Sequence, residues 1–132
     1  MTSLSTELEM LLFSTVLYII QILLPAMEAD VRNGLGWGLS NRSDNPTDAA
    51  AWGDRASRAV QNMAENLLPF ACIVLIVQTS GNSGEMSALG ALVFFYSQVS
   101  HALLYLAGIT VLRSLAYFGG LIGMGMMIYQ VV

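Results

Sequence analysis

Lysine is absent from this chain. Its five basic residues are all arginines, set against nine acidic ones in 132 residues, so a basic nucleic-acid-binding surface is excluded. One cysteine, Cys72, rules out a disulfide framework and a multi-cysteine metal site. It stands in an apolar run and is expected to be a buried structural thiol. A single histidine, His101, with scattered carboxylates lacks the ligand spacing of a metal centre. Charge of either sign is scarce: 11% of residues are charged and 55% hydrophobic. The mean hydropathy of +0.63 is high for a soluble globule. The N-terminus lacks the positive region of a secretory signal, since Glu7 and Glu9 precede its apolar stretch and no clean small-residue cleavage site follows. The first segment is therefore expected to remain in the mature protein.

Long apolar runs take up most of the chain. A bilayer core of roughly 30 Å needs about 20 predominantly apolar helical residues. Four runs qualify, at about 8–27, 56–79, 87–110 and 113–132. They are continuous rather than alternating, and lipid forbids open sheet edges. The expectation is an all-α integral membrane protein, a four-transmembrane-helix bundle forming a single membrane domain over residues 1–132. A polar loop fills about 30–54, in which Asn45-Pro46-Thr47-Asp48 reads as a helix start and Gly53-Asp54 as a cap for the second span. Gly81-Asn82-Ser83-Gly84 reads as a tight turn. Arg32, Arg42 and Arg55 lie in or beside the first loop and Arg113 at the third connection, so the arginine bias places both connections in the cytoplasm. On the last span, Gly119 with Gly123 and Ala116 with Gly120 are small-xxx-small pairs, suited to close helix contact within or between subunits.

The charges inside the spans are grouped. Arg58, Asn62 and Glu65 stand at i, i+4 and i+7, sharing one helix face, and Pro69 extends that stripe. His101 and Tyr105 are at i, i+4 with Gln98 one turn earlier, and Arg113 and Tyr117 repeat the spacing. A charged side chain at mid-membrane costs at least about 2.5–3.5 kcal/mol on insertion scales, so such groups face an interior or a wet cavity. One reading is structural, with Arg58 pairing Glu65 and His101 within a hydrogen-bond network. The other is a ligand site. Arginine forks match carboxylates bidentately, Glu65 suits an ammonium, and tyrosine hydroxyls donate to anions. Glutathione, with two carboxylates, an amine and a thiol, fits that set. A nearby arginine also lowers a thiol pKa that is ordinarily about 8.5.

The run Arg58-Ala59-Val60-Gln61-Asn62-Met63-Ala64-Glu65-Asn66-Leu67-Leu68-Pro69-Phe70 resembles the second-helix signature of the MAPEG family, the membrane-associated proteins of eicosanoid and glutathione metabolism. His101 with Tyr105, then Arg113, Ser114 and Tyr117, continue the likeness along the later spans. The resemblance implies a homotrimer of four-helix subunits, glutathione sites between neighbours, and a lipophilic small molecule arriving from the bilayer. It makes Arg113 and Tyr105 the expected catalytic residues. The expected glutathione-binding residues are Arg58, Asn62, Glu65, His101, Ser114, Tyr117 and, just after span one, Arg32. Gln61 and Gln98 stand where some family enzymes carry arginine. The loop 34–44 is unlike that of the eicosanoid enzymes and resembles that of bacterial members; with no organelle-retention tail, the expected location is a bacterial inner (plasma) membrane.

The leading function is thus a glutathione-dependent transferase or peroxidase acting on lipophilic electrophiles, with no metal. The alternative is a non-catalytic lipid-binding protein or an accessory subunit of a larger membrane complex. Ion or proton transport through His101 and Glu65 is weaker, because the inverted repeats of transporters are missing.

Overall fold

A computed structural model describes residues 3–42 and 48–132. Four long helices and one short turn of helix account for nearly all of them. Helix α1 runs Thr6–Asn33, α2 Leu35–Gly38, α3 Ala51–Ser80, α4 Glu85–Ala107 and α5 Thr110–Val131. At 28, 30, 23 and 22 residues, α1, α3, α4 and α5 are each long and apolar enough to cross a membrane. The chain is a multi-pass, all-helical membrane protein.

Local chemistry sets the ends. Ser5 caps α1 by accepting from the Leu8 N–H at 3.4 Å, and Glu7 and Glu9 in the first turn with Arg32 in the last complement the helix dipole. At the start of α4, the Ser87 hydroxyl accepts from the Gly84 N–H at 2.9 Å. Gly81 at φ 71° and Gly108 at φ 76° take the left-handed conformation that stops α3 and α4. The turn expected at 81–84 is present. Two other boundaries differ from the sequence reading. α1 continues through residues assigned to the polar loop, and α3 starts at Ala51, so Gly53 lies inside its first turn rather than capping it. The reason is packing: a Cβ on Gly53 would lie 2.8 Å from the Glu28 carboxyl carbon, and the missing side chain lets α1 and α3 close together. Asp48 precedes the helix without joining it, while Asn45, Pro46 and Thr47 lie outside the described residues.

Because lipid is as apolar as leucine, packing and small residues, rather than escape from water, hold such helices together. The most extensive contact joins α4 and α5; α1 packs on α3 and α4, α3 on α4 and α5, and α1 and α5 do not meet. Where α4 meets α5, a Cβ on Gly90 would lie 2.5 Å from the Gly123 carbonyl oxygen, and Gly119 and Gly120 lie against Ser97 and Gln98. The small-residue stripe therefore serves contact within the chain. At the centre, the Phe70 and Phe94 rings stack with centroids 3.8 Å apart and planes 11° from parallel. Met10, Val74, Val77, Ala91, Met124 and Met127 complete this core. Cys72 is exposed, correcting the expectation of burial. It shares an outward stripe with Leu68, Leu75 and Ile76, and in a membrane an apolar run gives no sign of which side faces protein.

Helix α1 has a feature the sequence reading missed. Glu7, Ser14, Gln21 and Glu28 recur every seven residues and are all buried, forming a polar seam toward α3 and α4. Glu7, 1% exposed, accepts from Ser83 at 2.7 Å, from Gln78 at 3.4 Å and from Ser87. Glu28 pairs with Arg32 at 2.9 Å and accepts the Ala50 N–H at 3.1 Å. The Ser14 hydroxyl oxygen and Gln21 Oε1 are buried with no hydrogen-bond partner among the described residues.

Candidate functional site

The antiparallel order of the long helices brings the C-termini of α1 and α4 and the N-termini of α3 and α5 to one end. Near that end, α3, α4 and α5 enclose a cleft of about 300 Å³ lined by Asn62, His101, Tyr105, Arg113, Ser114, Tyr117 and Phe118. Its size falls at the lower end of the roughly 300–1,000 Å³ usual for small-molecule sites.

Helical spacing builds one wall. His101 and Tyr105, one turn apart on α4, meet edge to face with ring centroids 5.4 Å apart. Across the two-residue connection, the first turn of α5 carries Arg113, whose Cζ lies 4.2 Å from the Tyr105 ring centroid. Stacking of this kind contributes about 0.5–2 kcal/mol and fixes a long side chain that would otherwise sample many rotamers. A cation near a helix N-terminus is disfavoured by the dipole. Arg113 and the free N–H groups of that turn therefore add to one positive region. Ser114 donates to the Thr110 carbonyl at 3.2 Å, and Tyr117 lies edge-on to Phe118 at 5.8 Å.

The opposite wall is Asn62. One turn further on, Asn66 is 5% exposed, and its amide donates to the Asn62 backbone oxygen at 2.8 Å and to Asn62 Oδ1 at 3.3 Å. With that oxygen engaged, Asn62 Nδ2 is the group left to donate to a guest. The cleft therefore gathers an arginine, an amide, an imidazole and three hydroxyls, a set rich in donors and suited to an anion with polar arms.

Six of the residues singled out from sequence meet here: Asn62, His101, Tyr105, Arg113, Ser114 and Tyr117. Three do not line the cleft. Arg58 and Glu65 are exposed on the outward face of α3. They do not pair with each other as the structural reading expected; Glu65 accepts instead from Gln61 at 3.2 Å. Arg32 sits at the end of α1 on Glu28, beside a separate hollow with Met27, Val31 and Trp52. Sequence reasoning gave no part in the site to Phe118, which lines the cleft, or to Asn66, which bonds Asn62. Asn66 carried a signal, being one helical turn beyond Asn62 on the flank that turns inward.

The family model that matches this sequence is that of the MAPEG family, over residues 10–132. The chain belongs to the MAPEG family. The four-helix architecture is that of the family, and membership makes this a membrane protein of the group associated with glutathione and eicosanoid metabolism. A search of curated proteins returned no match. Among the described residues no cluster of three or more His, Cys, Asp or Glu side chains is arranged to hold a metal ion.

Proposed function

We propose that this MAPEG protein is a glutathione-dependent transferase or peroxidase acting on lipophilic electrophiles, with the cleft as its glutathione site. The observation that carries the reading is the guanidinium of Arg113, stacked on Tyr105 and facing a cleft whose other lining residues, Phe118 apart, carry polar side chains. The donor set fits glutathione: the cation and amide suit carboxylates and a thiolate, and the volume suits a tripeptide in part.

Glutathione, when bound, supplies a sulfur nucleophile. Arg113 stabilises negative charge on sulfur; each unit by which a thiol pKa falls needs about 1.4 kcal/mol, within reach of one charge-assisted hydrogen bond in a partly dry site. Tyr105 holds Arg113 in place and offers its hydroxyl. Asn62 donates to a carboxylate or peptide oxygen, and His101, Ser114 and Tyr117 complete the polar wall. The exposed apolar faces of the helices leave a lipophilic partner free to arrive from the bilayer. Arg58 and Glu65 point outward, so they serve the same guest only at a boundary between copies, as in a homotrimer. The end bearing Arg32, Arg55, Arg58 and Arg113 is taken as cytoplasmic, in a bacterial inner membrane.

The test is conjugation of a chromogenic aryl halide by the purified protein with glutathione. Full activity in a variant carrying both Arg113→Ala and Arg58→Ala would sink the mechanism. A second reading, a lipid-binding or accessory protein without chemistry, draws on the placement of Arg58 and Glu65 away from the cleft. Calorimetry separates the two: no heat of binding at millimolar glutathione favours the accessory role.

A further inference from the structure

Arg55 has no place in the cleft, yet it holds two of its walls together. It projects from the first turns of α3, and its Nε donates to the Leu106 carbonyl at 3.1 Å. That carbonyl belongs to the last turn of α4, where backbone oxygens lack helical partners and attract cations. The same guanidinium lies over Gly108: a Cβ there would stand 3.8 Å from Arg55 Cδ and Nε. Gly108, at φ 76°, closes the turn by donating to the Tyr105 carbonyl at 3.1 Å, and Ile109 donates to the Leu104 carbonyl at 3.0 Å. Only Gly108 and Ile109 separate α4 from α5. The segment that Arg55 grips therefore has Tyr105 just before it and Arg113 four residues after it, the two side chains whose stacking forms the charged wall.

We infer that Arg55 is a positioning residue that sets the placement of Tyr105 and Arg113 by clamping the α4–α5 turn onto α3. The inference takes the cleft as the functional site, as proposed above. A guanidinium suits the task because its planar donors bind a carbonyl while its stem covers the glycine; an ammonium offers a point contact. Arg58, one turn later and exposed, has no such grip, so two neighbouring arginines of one helix have different work.

The single histidine supplies a probe that needs no ligand, because His101 lies in the cleft against the Tyr105 ring. The full chain, isotope-labelled at histidine in lipid nanodiscs, gives one set of ring signals. Arg55→Gln is expected to shift them at temperatures well below melting, Arg55→Lys to give an intermediate shift, and Arg42→Gln, a loop control, to leave them in place. In parallel, kcat/KM for glutathione is expected to fall about tenfold in Arg55→Gln, as loss of one charge-assisted hydrogen bond implies. Unmoved His101 signals in the Arg55 variants overturn the inference, as does a moved signal with unchanged kcat/KM. If Arg55→Gln fails to fold, the shift in Arg55→Lys decides by itself. If the wild-type protein neither binds nor turns over glutathione, the functional reading fails while the His101 signals still decide whether the clamp exists.

Discussion

Gly90 and Gly123 face each other across the α4–α5 contact with no room for a side chain: a Cβ on either would lie 2.5 Å from the other's carbonyl oxygen. The obstacle is backbone, which cannot swing aside as a flexible side chain can. Gly123→Ala is expected to destabilise the protein by about 2–3 kcal/mol, in the range of overpacked cores. Gly125→Ala, where a Cβ meets nothing within 4 Å, should be neutral or slightly stabilising through helix propensity. Thermal melting of the two variants in the same detergent checks the contrast; equal melting temperatures contradict it.

Arg113 is the cation of the cleft, and its replacement isolates its contribution. Arg113→Ala is expected to lower kcat with glutathione by about two orders of magnitude, comparable to loss of a preorganised donor to a developing anion. Arg113→Lys keeps the charge but not the planar stack on Tyr105, so it should recover only part of that loss. Steady-state rates across glutathione concentrations separate kcat from KM for each variant.

Asn66 makes no contact with the cleft in its own right, yet it orients Asn62. Removing it in Asn66→Ala frees the Asn62 amide to rotate. The expected result is a several-fold rise in the glutathione KM with kcat nearly unchanged, the signature of lost ground-state binding. A fall in kcat with constant KM would show that Asn62 acts on the reacting atoms instead.

At the far end of the bundle, Glu7 gathers Ser83, Ser87 and Gln78. Ser87 is the buried donor of the three, and Glu7→Ala removes its carboxylate acceptor, which costs about 1–3 kcal/mol. Glu7→Gln keeps a carbonyl oxygen and should cost less. The two melting temperatures are expected to rank wild type, Glu7→Gln, Glu7→Ala; an Ala variant as stable as wild type would show that water replaces the carboxylate.

Much of this could be read from sequence, and the rest has physical reasons for being hidden. The four spans follow from hydropathy, which lipid enforces. The His101–Tyr105 and Arg113–Tyr117 pairs follow from helical spacing. The stripe on α3 was legible as a stripe but not as a direction. At about 100° per residue, Asn62 lies some 40° to one side of Arg58 and Glu65 about 20° to the other. The buried side of α3, carrying Ala59, Met63 and Phe70, lies beyond Asn62. The cleft therefore catches the near edge of the stripe and leaves Arg58 and Glu65 outside. The seam on α1 was hidden for another reason: Glu7, Ser14, Gln21 and Glu28 each stand alone among apolar neighbours, and only their sevenfold interval gives them away.

Six of the seven cleft residues fall between His101 and Phe118, on either side of a turn of two residues. The site is thus local along the chain. Closing one helical hairpin assembles all but one of its walls, with little loop entropy to overcome, and α3 contributes Asn62. During membrane insertion, the hairpin that carries most of the cleft is then the part of the molecule that needs the shortest search to form.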